Sequence, residues 1–115
     1  GKTHRVYALA FVFGRPYRSY IKFFMEFEWD ENKAAKNLAK HGVSFEEAKT
    51  VFDDPLYVDF YDPDHSVDEE RYLIVGESDR RRSLIVSYTE RRNSIRIISA
   101  RVVTRAEREA YEEGG

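Results

Sequence analysis

Apolar positions recur along the chain with two periods, and each change of period marks an element. Over residues 23–29 the side chains alternate, with Phe23, Met25, Phe27 and Trp29 on one face and Phe24, Glu26 and Glu28 on the other. That is the pattern of a half-buried strand. Asp30 precedes a run of helix formers over residues 31–40; its carboxylate can accept the free amides of a first turn, so it reads as an N-cap. Gly42 reads as the stop, and Ala34, Leu38 and His41 share one face of this helix. Ser44 opens a second helix, with Glu47 at capping-box spacing and Phe45, Ala48, Val51 and Phe52 as its apolar stripe. Asp53-Asp54-Pro55 ends it, because the residue before a proline avoids the helical region.

The period then returns to two. Residues 56–61 read as a strand, and Asp62-Pro63-Asp64-His65-Ser66 as a turn or loop. Residues 71–77, 84–90 and 94–103 are three further strands, whose short connections (78–83 and 91–93) make them consecutive antiparallel hairpins. Thr104 caps a last helix reaching about residue 113, with Glu107 again at capping-box spacing. The order is strand, two helices, four strands, helix. An α+β domain follows, a mostly antiparallel sheet with the two N-terminal helices and the C-terminal helix packed on it.

Residues 1–24 differ from the rest. They are basic, with a short apolar stretch at 6–13 interrupted by Gly14-Arg15-Pro16. No small-residue cleavage site follows, which argues against a secretory signal. Met25 reads as the natural start, residues 1–24 as an N-terminal extension outside the native domain, and 25–115 as the domain.

Length and composition narrow the options. The chain has 115 residues, 42% hydrophobic and 15% aromatic, enough for one domain with a real core. It has no cysteine, which excludes disulfides, thiolate catalysis and Cys-based zinc sites. The lack of cysteine fits a cytoplasmic address, and the apolar runs are too short to cross a bilayer, so no membrane partner is expected. The formal net charge of −2 calls for no nucleic acid by itself, but its distribution is uneven. Acids dominate from Glu26 to Glu70, whereas Arg80, Arg81, Arg82, Arg91, Arg92, Arg96, Arg101 and Arg105 face only Glu90 in their stretch. Such an arginine surplus can form a phosphate-binding face; the plainer reading makes Arg80 to Arg82 and Arg91-Arg92 hairpin tips.

Candidate chemistry is sparse. There is no Gly-rich phosphate loop, nucleophile elbow or zinc helix. Asp62, Asp64, His65 and Asp68 resemble metal ligands only superficially, so no metal or other cofactor is expected. His41 follows the first helix beside Lys40, where a histidine near neutral pKa can serve as a general acid or base or simply cap the helix. Arg71, Arg96 and Arg101 lie within strands, where an arginine is either paired or functional. Arg96 and Arg101 are five apart, so a regular strand sends them to opposite faces and only a bulge would bring both to one site. A three-residue loop at 91–93 would set Tyr88 across from Arg96, offering base stacking beside phosphate neutralisation.

The stretch Phe27-Glu28-Trp29-Asp30-Glu31-Asn32-Lys33, with Asn37-Leu38-Ala39-Lys40-His41-Gly42-Val43-Ser44-Phe45 and Phe52-Asp53-Asp54-Pro55, resembles the opening of BrnT toxins. Asp62-Pro63-Asp64-His65-Ser66 leading to Glu70-Arg71-Tyr72, then Arg96-Ile97-Ile98-Ser99-Ala100-Arg101 and Thr104-Arg105-Ala106-Glu107-Arg108, continue the likeness over residues 25–113. The resemblance implies a RelE-like fold and metal-independent RNA cleavage that stops protein synthesis. It also implies a BrnA-like antitoxin with a ribbon-helix-helix module, and operator DNA bound only through the toxin–antitoxin complex. On this reading His41, Arg96 and Arg71 are the catalytic candidates, and Lys40, Tyr88, Arg101 and His65 bind RNA, with His65 the reserve acid or base. The competing reading is a non-enzymatic module whose arginine face binds a partner.

Overall fold

The structure, a computed structural model, describes residues 26–65 and 68–114. The extension and the start of the first strand, Phe23 to Met25, lie outside the described residues. Strand β1 (Glu26–Glu28) leads into helix α1 (Glu31–His41) and helix α2 (Phe45–Thr50), which tightens into a 3-10 turn over Val51–Asp53. Strands β2 (Val58–Tyr61), β3 (Tyr72–Glu77), β4 (Ser83–Arg91) and β5 (Ser94–Val102) follow, then helix α3 (Arg105–Gly114). The sheet order is β1-β5-β4-β3-β2. Only the β1/β5 pairing is parallel; the other three are antiparallel.

Local chemistry sets the helix ends. Asp30 accepts hydrogen bonds from the Asn32 and Lys33 amides at 2.8 and 3.1 Å, satisfying two donors that a first turn leaves free. Those amides hold the Asp30 carboxyl below its ordinary range. Gly42 closes α1 with φ of 69°, a left-handed conformation glycine adopts without steric cost. Ser44 caps α2 by accepting from the Glu47 amide at 3.0 Å, and Thr104 and Glu107 form the reciprocal box that starts α3.

The core lies between the sheet and the α1/α2 face. The α2 stripe of Phe45, Ala48, Val51 and Phe52 is buried, together with Phe27, Ile74, Leu84, Val86, Tyr88, Ile95 and Ile97. Two expectations for this face change. Leu38 is half exposed, at 51%, and the inward position belongs to Asn37. Its amide donates to the carbonyls of Val43 and Ala100 at 2.9 and 2.8 Å and accepts the Ala100 amide at 3.0 Å. Thus α1 is fastened to β5 by hydrogen bonds rather than by an apolar side chain. Leu56 sits in the turn after Pro55, 76% exposed, and β2 begins only at Val58 because Asp54 pins that turn by accepting from the Leu56 amide.

The β4/β5 register also departs from expectation. Arg91 pairs with Ser94, leaving only Arg92 and Asn93 in the turn. One residue fewer in the loop moves every partner by one, so Tyr88 faces Ile97, and Arg96 faces Thr89. Further along, Ser87 pairs with Ser99, so Ile98 is an extra residue on β5, a β-bulge. The buried positions therefore run Ile95, Ile97, Ala100, and the bulge puts Arg96 and Arg101 on the same outer face. Helix α3 is joined to strand β5 through its first turn. Arg105, Ala106 and residues 108–110 are exposed, and Glu107 holds the helix to Arg101. Among the described residues no helix is long and apolar enough to cross a membrane.

Candidate functional site

One end of the molecule is built around a buried carboxylate. Glu47, 5% exposed, lies on α2 facing the β3–β4 turn. It accepts hydrogen bonds from Arg82 Nε at 2.9 Å, from a second Arg82 nitrogen, and from Ser78 Oγ at 2.7 Å. The same Arg82 donates to the Gly42 carbonyl at 3.0 Å. Ser78 Oγ in turn accepts the backbone amides of Arg80 and Arg82. The Arg82 hydrogen bonds hold the Glu47 carboxyl below its ordinary range in spite of burial, and Glu47 raises the Arg82 guanidinium in return. Such paired hydrogen bonds are directional, so they lock the α1–α2 corner against the β3–β4 turn.

That lock decides what lies together. Lys40 and His41 end α1 immediately before Gly42. Arg80 and Arg81 form the turn immediately before Arg82. Lys40, Arg80 and Arg81 are exposed and His41 is half-buried. Among the described residues none of the three cations has an ion-pair partner. Arg81 is held at φ of 63°, a conformation that disfavours a residue with a Cβ. Cations without a carboxylate partner can bind an anion, and an imidazole can give or take a proton.

The other candidates lie elsewhere. His65 Nδ1 is 2.9 Å from Asp62 Oδ2, and its side chain is 68% exposed. It borders a cleft of about 280 Å³ with Asp64, Asp68, Glu69 and Arg71. Three carboxylates in this lining make the cleft a poor phosphate site. Glu69 of this lining pairs with Arg91 at 3.1 Å. Arg96 pairs with Glu28 at 2.9 Å, and Arg101 grips Glu107 through two bonds of 2.7 Å. Tyr88 is fully buried. Its ring packs between Phe52 and Tyr72 and its hydroxyl donates to Asp59 at 3.0 Å, so no face of it is open to a base. Ser83, next to Arg82, and Thr89, opposite Arg96, are six positions apart on β4, roughly 20 Å of strand. His41 with Lys40 thus lies at one end of the sheet, and Arg71, Arg96 and His65 towards the other. Among the described residues no grouping of histidines and carboxylates is arranged to hold a metal ion.

Sequence reasoning treated Arg82 as one of three turn arginines and Glu47 as a capping residue. A signal for Arg82 was present: counting back in twos from Tyr88, Val86 and Leu84 puts Arg82 on the inner face. Glu47 gave none, because a carboxylate at capping spacing can turn either way.

A small, mostly antiparallel sheet carrying two helices on one face defines an α+β domain, with Lys40, His41, Arg80 and Arg81 at one end and no bilayer-spanning helix among its described residues. The family model described as "Ribonuclease toxin, BrnT, of type II toxin-antitoxin system" matches residues 29–107, and the chain belongs to this BrnT family. Among solved structures it is similar to the ribonuclease toxin BrnT of Brucella abortus, with 23% identity and a TM-score of 0.53 over 70% of this chain and 99% of that one. That likeness carries the fold. No curated protein matches the chain.

Proposed function

We propose that the chain is an endoribonuclease that cleaves RNA without a metal ion, using the end of the molecule where α1 meets the β3–β4 turn. Lys40, Arg80 and Arg81 would neutralise a phosphodiester, and His41 would work as acid or base beside it. The RNA 2′-hydroxyl gives up its proton and its oxygen bonds to phosphorus. The bond to the 5′-oxygen breaks and that oxygen is protonated, leaving a 2′,3′-cyclic phosphate and a 5′-hydroxyl. The observation that carries this reading is the bond from Arg82 to the Gly42 carbonyl, which ties the end of α1, with Lys40 and His41, to the turn that holds Arg80 and Arg81; among the described residues these three cations make no ion pair.

Family membership brings the rest of the proposal: a RelE-like fold, a cytoplasmic toxin that stops protein synthesis, and a BrnA-like ribbon-helix-helix antitoxin through which the complex meets operator DNA. One observation favours a second acid or base. Asp62 orients His65 through Nδ1 and leaves Nε2 to solvent, the arrangement a general base needs. Inducible expression of the chain, with His41→Ala and His65→Ala beside it, separates the two. Growth arrest with loss of RNA, relieved by His41→Ala alone, supports the first site; relief by His65→Ala alone moves the chemistry to the acidic cleft. A folded parent that neither arrests growth nor cleaves RNA overturns the ribonuclease reading.

A further inference from the structure

Helix α1 carries a second feature that the cleavage site does not absorb. At ~100° per residue, Lys33, Lys36 and Lys40 fall within about 60° of one another around the axis. All three are exposed, while Asn37 on the neighbouring line is buried against β5. The three span eight residues, ~10 Å of helix, and the line ends one residue before His41. Among the described residues none of them has an ion-pair partner, in a chain whose 21 acids outnumber its 19 lysines and arginines. Residues 80–105 contain no lysine at all. The lysines of α1 thus form a ridge of their own, separate from the paired arginines of the strands. A lysine is a flexible point charge that neutralises phosphate without reading a base.

We propose that Lys33 and Lys36 extend the site into a backbone track, along which a single RNA strand lies on α1 and is delivered to Lys40 and His41. This rests on the ribonuclease reading and adds to it the path and the form of the substrate. A single strand suits it because the 2′-oxygen must swing into line with the departing 5′-oxygen, which a stacked duplex resists. Recognition along the track depends on phosphate spacing, so the ridge confers affinity and little sequence preference.

The test uses the full chain and a fluorescent 2′-O-methyl oligoribonucleotide, which keeps the phosphates but lacks the nucleophile. Anisotropy over a range of salt gives both Kd and the slope of log K against log salt. Each lost contact lowers the slope by ~0.7 for a single strand, so K33Q/K36Q should lower it by ~1.4 and weaken binding on the order of 20-fold at 0.1 M salt. Arg92→Asn removes one charge from the β4–β5 turn at the opposite end of the sheet and should leave the slope as it is. Equal slopes for wild type and K33Q/K36Q overturn the track. So does a slope lowered by ~0.7 for Arg92→Asn, since one charge then counts the same wherever it sits. Unchanged RNA binding by K33Q/K36Q combined with lost affinity for an acidic polypeptide overturns it as well, and assigns the ridge to a protein partner. Cleavage of unmodified RNA by the wild type is scored separately, so failure of the track and failure of the ribonuclease reading give different results.

Discussion

Replacing Arg82 by alanine tests the lock between the helices and the β3–β4 turn, and the structure sets the size of the effect. The substitution leaves the Glu47 carboxylate, whose side chain is 4% exposed, without its charged partner; the Arg82 side chain was 33% exposed. Removing one member of a buried pair costs about 3–5 kcal/mol. The partial exposure of Arg82 lets water reach the vacated space, so we discount this to ~2–3 kcal/mol. For a domain of this size that corresponds to a fall of roughly 10–20 °C in Tm. The pH dependence carries a second signature. In the wild type the Glu47 carboxyl lies below its unfolded value, so its contribution is present above the ordinary carboxylate range and is lost as pH falls through the folded value. In Arg82→Ala, burial without the guanidinium raises the same carboxyl. Its penalty then holds above that raised value and is relieved by protonation as pH falls. The gap between the two proteins must therefore narrow with acid. Urea unfolding followed by tryptophan fluorescence at several pH values reads this directly, since Trp29 packs edge-on against Phe45 of α2. A loss under ~1 kcal/mol, the ordinary scale of a point substitution, or a gap that stays constant with pH, would refute the reasoning. Glu47→Gln combined with Arg82→Met should recover much of the loss, because the uncompensated charge is gone.

Further predictions follow from individual contacts. Asn37→Ala deletes three buried hydrogen bonds and strands the Ala100 amide and carbonyl, costing about 2–4 kcal/mol; hydrogen exchange at Ala100 should accelerate far more than at Val86 if the loss is local. Glu107 is held at about 2 by its hydrogen bonds to Arg101 and the Thr104 amide. Its contribution to α3 is therefore present above about pH 4.5 and lost as pH falls towards about 2. Far-UV circular dichroism should show helix loss across that window, and Glu107→Gln should lose the same signal at neutral pH. Arg81→Gly relieves a left-handed residue and should leave Tm unchanged or raise it by a few degrees, an effect of up to ~1 kcal/mol, while RNA affinity falls. A stabilised protein with undiminished affinity would remove Arg81 from the phosphate site.

Reading periodicity placed most elements, because alternation in the strands and the Phe45, Ala48, Val51 and Phe52 stripe are direct images of the core. Caps at Asp30, Ser44 and Thr104 were legible for the same reason: they need only neighbours in sequence. What could not be read depended on partners far along the chain. Asn37 looks like any polar helix residue until Ala100 is brought to it, 63 residues away. Tyr88 was set one register position out because the turn after Arg91 is one residue shorter than supposed, and a one-residue shift exchanges the facing side chains. Only a bulge can bring Arg96 and Arg101 to one face, but nothing in Ile98-Ser99 announces where it falls. The candidate site divided in the same way. His41 and Lys40 were visible as neighbours at a helix end. The tie between that helix end and the β3–β4 turn runs through Arg82 and Glu47, and sequence spacing assigns Glu47 to a cap.

The most direct test of the central claim is cleavage of a 5′-labelled single-stranded RNA by the purified full chain, in chelator, with His41→Ala run in parallel and both proteins shown to be folded. The account predicts fragments ending in 2′,3′-cyclic phosphate from the wild type and a rate lower by ~10²–10⁴-fold for His41→Ala, the usual worth of a general acid or base. Intact RNA with the folded wild type, or equal rates for the two proteins, would contradict it.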